Sequence, residues 1–123
     1  MHKRSLVSVV DDDESVRESL PDLIREFGFE AQSFKSGEEF LASSCREQTK
    51  CLILDIVMPG MSGFDVQREL KTRNHPIPVV FIIAQRDENG WPNPLKEEAV
   101  ACLLNPFSDM ILLQTIHTAL RTE

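Results

Sequence analysis

Short apolar runs alternate along this chain with segments whose apolar residues recur at helical spacing. The first run, LVSVV (Leu6 to Val10), reads as a buried strand. Asp13, Glu14 and Ser15 then supply the chemistry of a helix start, and Val16, Leu20, Leu23, Ile24 and Phe27 fall on one helical face. Pro21 lies inside that helix and should bend it or disturb one turn, while Gly28 is placed to end it. Residues 29–34 predict a second strand. Ser36 and Glu39 have capping-box spacing ahead of Phe40 and Leu41, which predicts a short helix. CLILDIV (Cys51 to Val57) predicts the third strand, and a helix over about 63–73 follows it. PVVFIIA (Pro78 to Ala84) and ACLLN (Ala101 to Asn105) predict the fourth and fifth strands. The last helix follows Ser108 and Asp109, with Leu112, Ile116, Ala119 and Leu120 on its core stripe.

Strands that read as continuous apolar runs, alternating with helices, indicate an α/β domain with a parallel sheet covered on both faces. Ligand chemistry in such sheets gathers at the carboxyl ends of the strands, near the switch in strand order. The first strand delivers Asp11 and Asp12 there, the third Asp55, the fourth Ile83 and Ala84, and the fifth Asn105. Three carboxylates at one edge repel one another unless a cation or a proton intervenes. A hard divalent cation with oxygen ligands answers this, and Mg²⁺ is the default because it keeps waters for a phosphate. DDDES (Asp11 to Ser15) taken alone could be a solvated loop and helix cap; Asp55 at the matching strand end weighs against that.

Composition narrows the classes further. The 123 residues suit one domain and carry no repeat, low-complexity segment or long linker. Thirteen Lys and Arg against twenty Asp and Glu leave a formal charge of −7, which argues against direct nucleic-acid binding by this domain. The basic start is followed by an apolar run too short for a secretory h-region, and no run approaches a membrane span, so a cytoplasmic location is expected. Cys45, Cys51 and Cys102 form no CxxC pair and read as reduced thiols, and His2, His75 and His117 lack metal-ligand spacing.

VVDDDESVR (Val9 to Arg17), LILDIVMPGMSG (Leu52 to Gly63) and NPF (Asn105 to Phe107) at their spacings resemble the receiver domain of bacterial response regulators, over about residues 5–120. The D-x-x-M-P-x-x-x-G pattern after an apolar strand, with an acidic pair at another strand end, carries the resemblance. It implies a doubly wound five-stranded sheet of order 2-1-3-4-5 in one domain spanning 5–121, acting as a signalling module rather than an enzyme. It further implies that Asp55 accepts a phosphoryl group from a sensor histidine kinase or phosphotransfer protein. Asp11, Asp12, Asp55 and the backbone carbonyl of Val57 would then hold Mg²⁺ or another divalent cation.

The sequence departs from that pattern where the phosphoryl group would be sensed. Ile83 stands where the family has Thr or Ser, followed by Ala84; Asn105 replaces a lysine; Cys102 replaces an aromatic residue. Isoleucine cannot donate a hydrogen bond, and asparagine removes a charge. Gly90, Pro92 and Pro94 are poor material for the family's fourth helix, so that helix is expected to be shortened or irregular, with Trp91 in the loop. Trp91 either folds onto the core edge or faces a partner. Met110, Leu113 and His117 form a second stripe on the last helix, either part of a broad buried face or part of a homodimer surface with the fourth helix and fifth strand.

Three functions compete. The first is a receiver module phosphorylated on Asp55. The second is a degenerate receiver that works as a protein-interaction module without phosphorylation, which Ile83 and Asn105 favour. An aspartate-nucleophile phosphohydrolase is the third, but it needs a D-x-D motif, and Val57 occupies the second acid's position. A nucleotide-binding domain would need a Gly-rich phosphate loop after the first strand, and none is present. The chain ends with the last helix, compatible with a stand-alone regulator or with a receiver cut from a longer protein.

Overall fold

The computed structural model describes residues 4–84, 101–105 and 107–121. In chain order its elements are β1 (Leu6–Val10), α1 (Glu14–Glu26), β2 (Glu30–Phe34), α2 (Gly37–Ala42), a 3-10 turn (Ser44–Gln48), β3 (Thr49–Asp55), α3 (Gly63–Thr72), β4 (Val79–Ala84), β5 (Ala101–Asn105) and a last helix, α4 (Asp109–Arg121). The five strands form one sheet of order β2-β1-β3-β4-β5, every neighbouring pair parallel. This is the doubly wound order expected from the sequence.

The period of two along each strand divides the sheet's side chains between two cores. Val10, Leu52, Leu54, Phe81 and Ile83 face Phe40 and Leu41 of α2 and Val66 and Leu70 of α3. On the other face, Val7, Val9, Ile53, Val80 and Ile82 meet Leu20 and Ile24 of α1 and Leu112, Ile116 and Ala119 of α4. Each fully buried Leu, Ile or Phe contributes roughly 1.5–3 kcal/mol relative to exposure, so this double burial is what aligns the strand ends. β1 is buried along its whole length, whereas the edge strand β2 buries only Ala31 and Phe34, one toward each core, and leaves Glu30 and Gln32 exposed. After β2 the chain returns past β1 to form β3, so the order switches between the carboxyl ends of β1 and β3.

α1 continues past Pro21, which lies buried inside it. Several local features differ from the sequence reading. Helix α2 is capped by Ser36, whose Oγ accepts from the Glu39 N–H at 3.1 Å, but Glu39 returns to the N–H of Lys35 rather than to Ser36 itself. The reciprocal capping box lies instead at α3, where Ser62 Oγ accepts from Asp65 N–H and Asp65 Oδ2 from Ser62 N–H. β3 starts two residues before the CLILDIV run, at Thr49, whose hydroxyl pairs with Ser8 at 2.7 Å inside the sheet. On α4, Met110 is 61% exposed and His117 is also exposed, edge-on to Phe29, while Leu113 between them is half-buried, so the second stripe is not buried along its length. All three cysteines are free thiols. The expected irregular fourth helix and Trp91 fall between 85 and 100, outside the described residues.

Candidate functional site

The carboxyl ends of β1 and β3 bring Asp11, Asp12 and Asp55 together. One oxygen from each lies within 4.8 Å of the others, close enough for a single cation to be shared among them. Each position has a local cause. Asp11 directly follows β1 and is only 4% exposed; its N–H donates to the Phe34 carbonyl at 3.1 Å, extending the β1–β2 pairing by one residue. Its Oδ1 accepts from the N–H of Asp13 at 2.9 Å. Asp13 in turn caps α1, accepting from the N–H and the hydroxyl of Ser15. Asp12, between the two, is exposed. Asp55 is the last residue of β3, in register with Ile82 of β4, and is partly exposed at the open edge.

The electrostatics follow from that placement. Burial, then the charges of Asp11 and Asp12, push the Asp55 carboxyl up to about 7, although the N–H of Val57 opposes the shift. Burial also raises Asp11, against the hydrogen bond from Asp13. The Ser15 hydroxyl and N–H hold Asp13 below its usual value, with Arg17 adding to the effect. A pocket that resists its own ionisation fits a hard cation with oxygen ligands.

The loop after β3 closes one side. Val57 is 69% exposed, and Gly60 adopts φ +77°, a left-handed conformation suited to glycine. The N–H of Gly63 donates to the Ile56 carbonyl at 2.9 Å, which docks the start of α3 against the end of β3. Across the α1–α4 face, a cavity of about 350 Å³ is lined by Val16, Leu20, Leu23, Ile82, Phe107 and Asp109.

Of the positions at which the resemblance leads one to expect phosphoryl sensing, Ile83 is 3% exposed and belongs to the core on the α2–α3 side, with Cys102 packed against the same cluster. Burial raises the Cys102 thiol above its usual range. Ala84 and Asn105 are placed by backbone register alone, as partners at the carboxyl ends of β4 and β5. Two participants escaped the sequence reading. Ser62-x-x-Asp65 was legible as a cap before an apolar helix. Arg17, one turn beyond the cap Asp13, donates from Nη1 to the Asp11 carbonyl at 3.0 Å.

Residues 7–117 match the family model of the response regulator receiver domain. This chain belongs to that family. The receiver domain is 40% identical over 116 residues to Nodulation protein W of Bradyrhizobium diazoefficiens, covering 94% of this chain and 51% of that protein. To the response regulator protein TodT of Pseudomonas putida it is 39% identical over 119 residues, covering 97% and 52%. The structure of the response regulator StyR superposes with a TM-score of 0.87 at 41% identity, covering 97% of this chain and 60% of that one. The chain therefore spans about half the length of these curated relatives. As a receiver domain it is a two-component signalling module rather than a catalytic enzyme, of a family that partners with histidine kinases, and its acidic triad is typical of a receiver Mg²⁺ site. No helix among the described residues is long and apolar enough to cross a membrane.

Proposed function

We propose that Asp55 accepts a phosphoryl group from a histidine kinase or phosphotransfer protein, and that Asp11, Asp12, Asp55 and the Val57 carbonyl hold the Mg²⁺ that this transfer requires. The supporting observation is the convergence of three carboxylates on one strand edge. An Asp55 oxygen attacks phosphorus, the phosphorus–nitrogen bond of phosphohistidine breaks, and the imidazole leaves with its electron pair. Bound Mg²⁺ supplies counter-charge to the transferring group. Asp55 must be ionised to attack, and burial with two neighbouring acids opposes this near neutral pH; a cation shared by the three acids removes the opposition. The cavity between α1 and α4, whose lining mixes apolar residues with Ser19 and Asp109, includes Ile82, the register neighbour of Asp55, and offers a seat for a partner helix bearing the donor histidine. Residues 5–121 act as one receiver domain in the cytoplasm, and exposed Met110 with the last-helix face serves a homodimer.

One observation favours the degenerate reading: Ile83 fills the phosphoryl-sensing position with a buried apolar side chain. Incubation with Mg²⁺ and acetyl phosphate, followed by mass analysis of the Asp55 peptide, separates the two. Labelling comparable to an ordinary receiver sinks the interaction-only module. Failure of both labelling and Mg²⁺ binding sinks the phosphoacceptor.

A further inference from the structure

Besides its interaction with the Asp55 carboxyl, Asp11 is held at three points. Its N–H donates to Phe34, its Oδ1 accepts from Asp13, and its carbonyl oxygen accepts from Arg17 Nη1 at 3.0 Å. Of the three, only the last depends on a side chain outside the β1–α1 turn. The N–H of Arg17 donates to the Asp13 carbonyl at 3.1 Å, so the first turn of α1 sets where its side chain starts. From there the guanidinium reaches back over the helix cap to the end of β1.

The carbonyl it grips belongs to the planar peptide that joins Asp11 to Asp12. Because that unit is rigid, orienting its oxygen sets ψ of Asp11 and φ of Asp12 together. The angle between a buried carboxylate and an exposed one is fixed in this way. Asp12 lies between two anchored residues, Asp11 and the helix cap Asp13.

We propose that Arg17 is a positioning residue for the divalent-cation site, acting through the Asp11 carbonyl and not through its charge. The inference rests on reading Asp11, Asp12 and Asp55 as that site. Charge and positioning predict opposite signs, which makes the proposal testable. A guanidinium beside carboxylates competes with a bound cation, so by charge alone its removal should tighten binding. If Arg17 orients the acids, its removal should loosen binding, because partners that orient metal ligands typically matter by about tenfold to a hundredfold in affinity.

The test measures binding of Mn²⁺ by electron paramagnetic resonance and of Mg²⁺ by calorimetry, with the whole chain and no phosphodonor. Arg17→Met keeps the aliphatic stem but no donor, and Arg17→Lys keeps a donor and the charge. Thermal unfolding without metal establishes that each variant is folded; Arg17→Gln, too short to make the same contact, replaces the methionine variant if that one does not fold. The expected result is about tenfold weaker Mn²⁺ and Mg²⁺ binding in Arg17→Met, with Arg17→Lys recovering most of the loss. Unchanged or tighter binding in Arg17→Met overturns the proposal, as does equal loss in both variants. Wild-type protein that binds neither cation overturns the reading of the site itself, which is a separate outcome.

Discussion

A Cβ placed on Gly63 would stand 2.7 Å from the backbone oxygen of Asp55 and 2.9 Å from the Cα of Ile56. The neighbours are backbone, so they cannot rotate away. Helix propensity alone favours Ala over Gly by roughly 0.5–1 kcal/mol, whereas overpacking costs typically 1–3 kcal/mol. Gly63→Ala should therefore destabilise the domain by about 1–2 kcal/mol in urea unfolding. It should also slow labelling of Asp55 by acetyl phosphate, because relief of the contact displaces the end of β3. A more stable variant would show that α3 does not approach Asp55 this closely.

Stability in the absence of divalent cations should fall as pH rises from about 4 to 7. Asp55 is protonated in the folded chain up to about 7, against 3.8 as its ordinary value. A carboxyl whose folded value is raised contributes its stability below the unfolded value and loses it as pH rises through the folded one. Asp11 shifts in the same direction. Asp13 and Asp65, held below their ordinary value, act at lower pH and with opposite sign. The measurement is Tm against pH in chelator, for wild type and Asp55→Asn. The wild-type decline should flatten in the variant, and Mg²⁺ should restore wild-type stability above pH 7. Parallel curves for the two proteins would refute the raised Asp55.

The sheet, its order and the three acids were legible because each rests on a short-range signal. Apolar runs such as LVSVV and CLILDIV mark strands buried on both faces, and acids at their ends stand out against that background. Apart from the Ser62-x-x-Asp65 cap, whose signal is local, what escaped the sequence depends on where the fold brings groups together. Thr49 enters β3 through backbone pairing opposite Leu6 across the sheet, and its hydroxyl pairs with Ser8. Arg17 looked like any charged residue on a helix until the turn of the chain brought the Asp11 carbonyl beneath it. Pro21 was expected to bend α1 or disturb one turn; the helix continues past it, with Leu20, Pro21 and Ile24 buried. Tertiary packing holds a helix together there across a poor helix former.

Ser62 caps α3 beside the site without belonging to the acid cluster. Its Oγ accepts from the Asp65 N–H at 3.2 Å, and Asp65 returns the bond at 3.0 Å. Loss of such a cap typically costs about 1 kcal/mol. Ser62→Ala should lower stability by about that amount in urea, while Mn²⁺ affinity stays within roughly twofold, since no cation ligand is removed. A large loss of affinity would mean that the cap also orients the β3–α3 loop toward the cation.

Ile83 places two effects in opposition at one position. It is 3% exposed in the core formed with Phe81, Met58 and Val10, so Ile83→Thr removes packed carbon and buries a hydroxyl. That should cost roughly 1–3 kcal/mol, seen as a lower Tm. If the site is used as in the family, the same hydroxyl can donate to an anion on Asp55, and hydrogen bonds to charged groups are worth about 1.5–3 kcal/mol. Beryllofluoride, which mimics the phosphoryl group, should then bind about tenfold tighter or more to the less stable variant. Lower stability with unchanged beryllofluoride affinity would show that the missing hydroxyl does not limit this domain, leaving the lost lysine at Asn105 as the substitution to restore next.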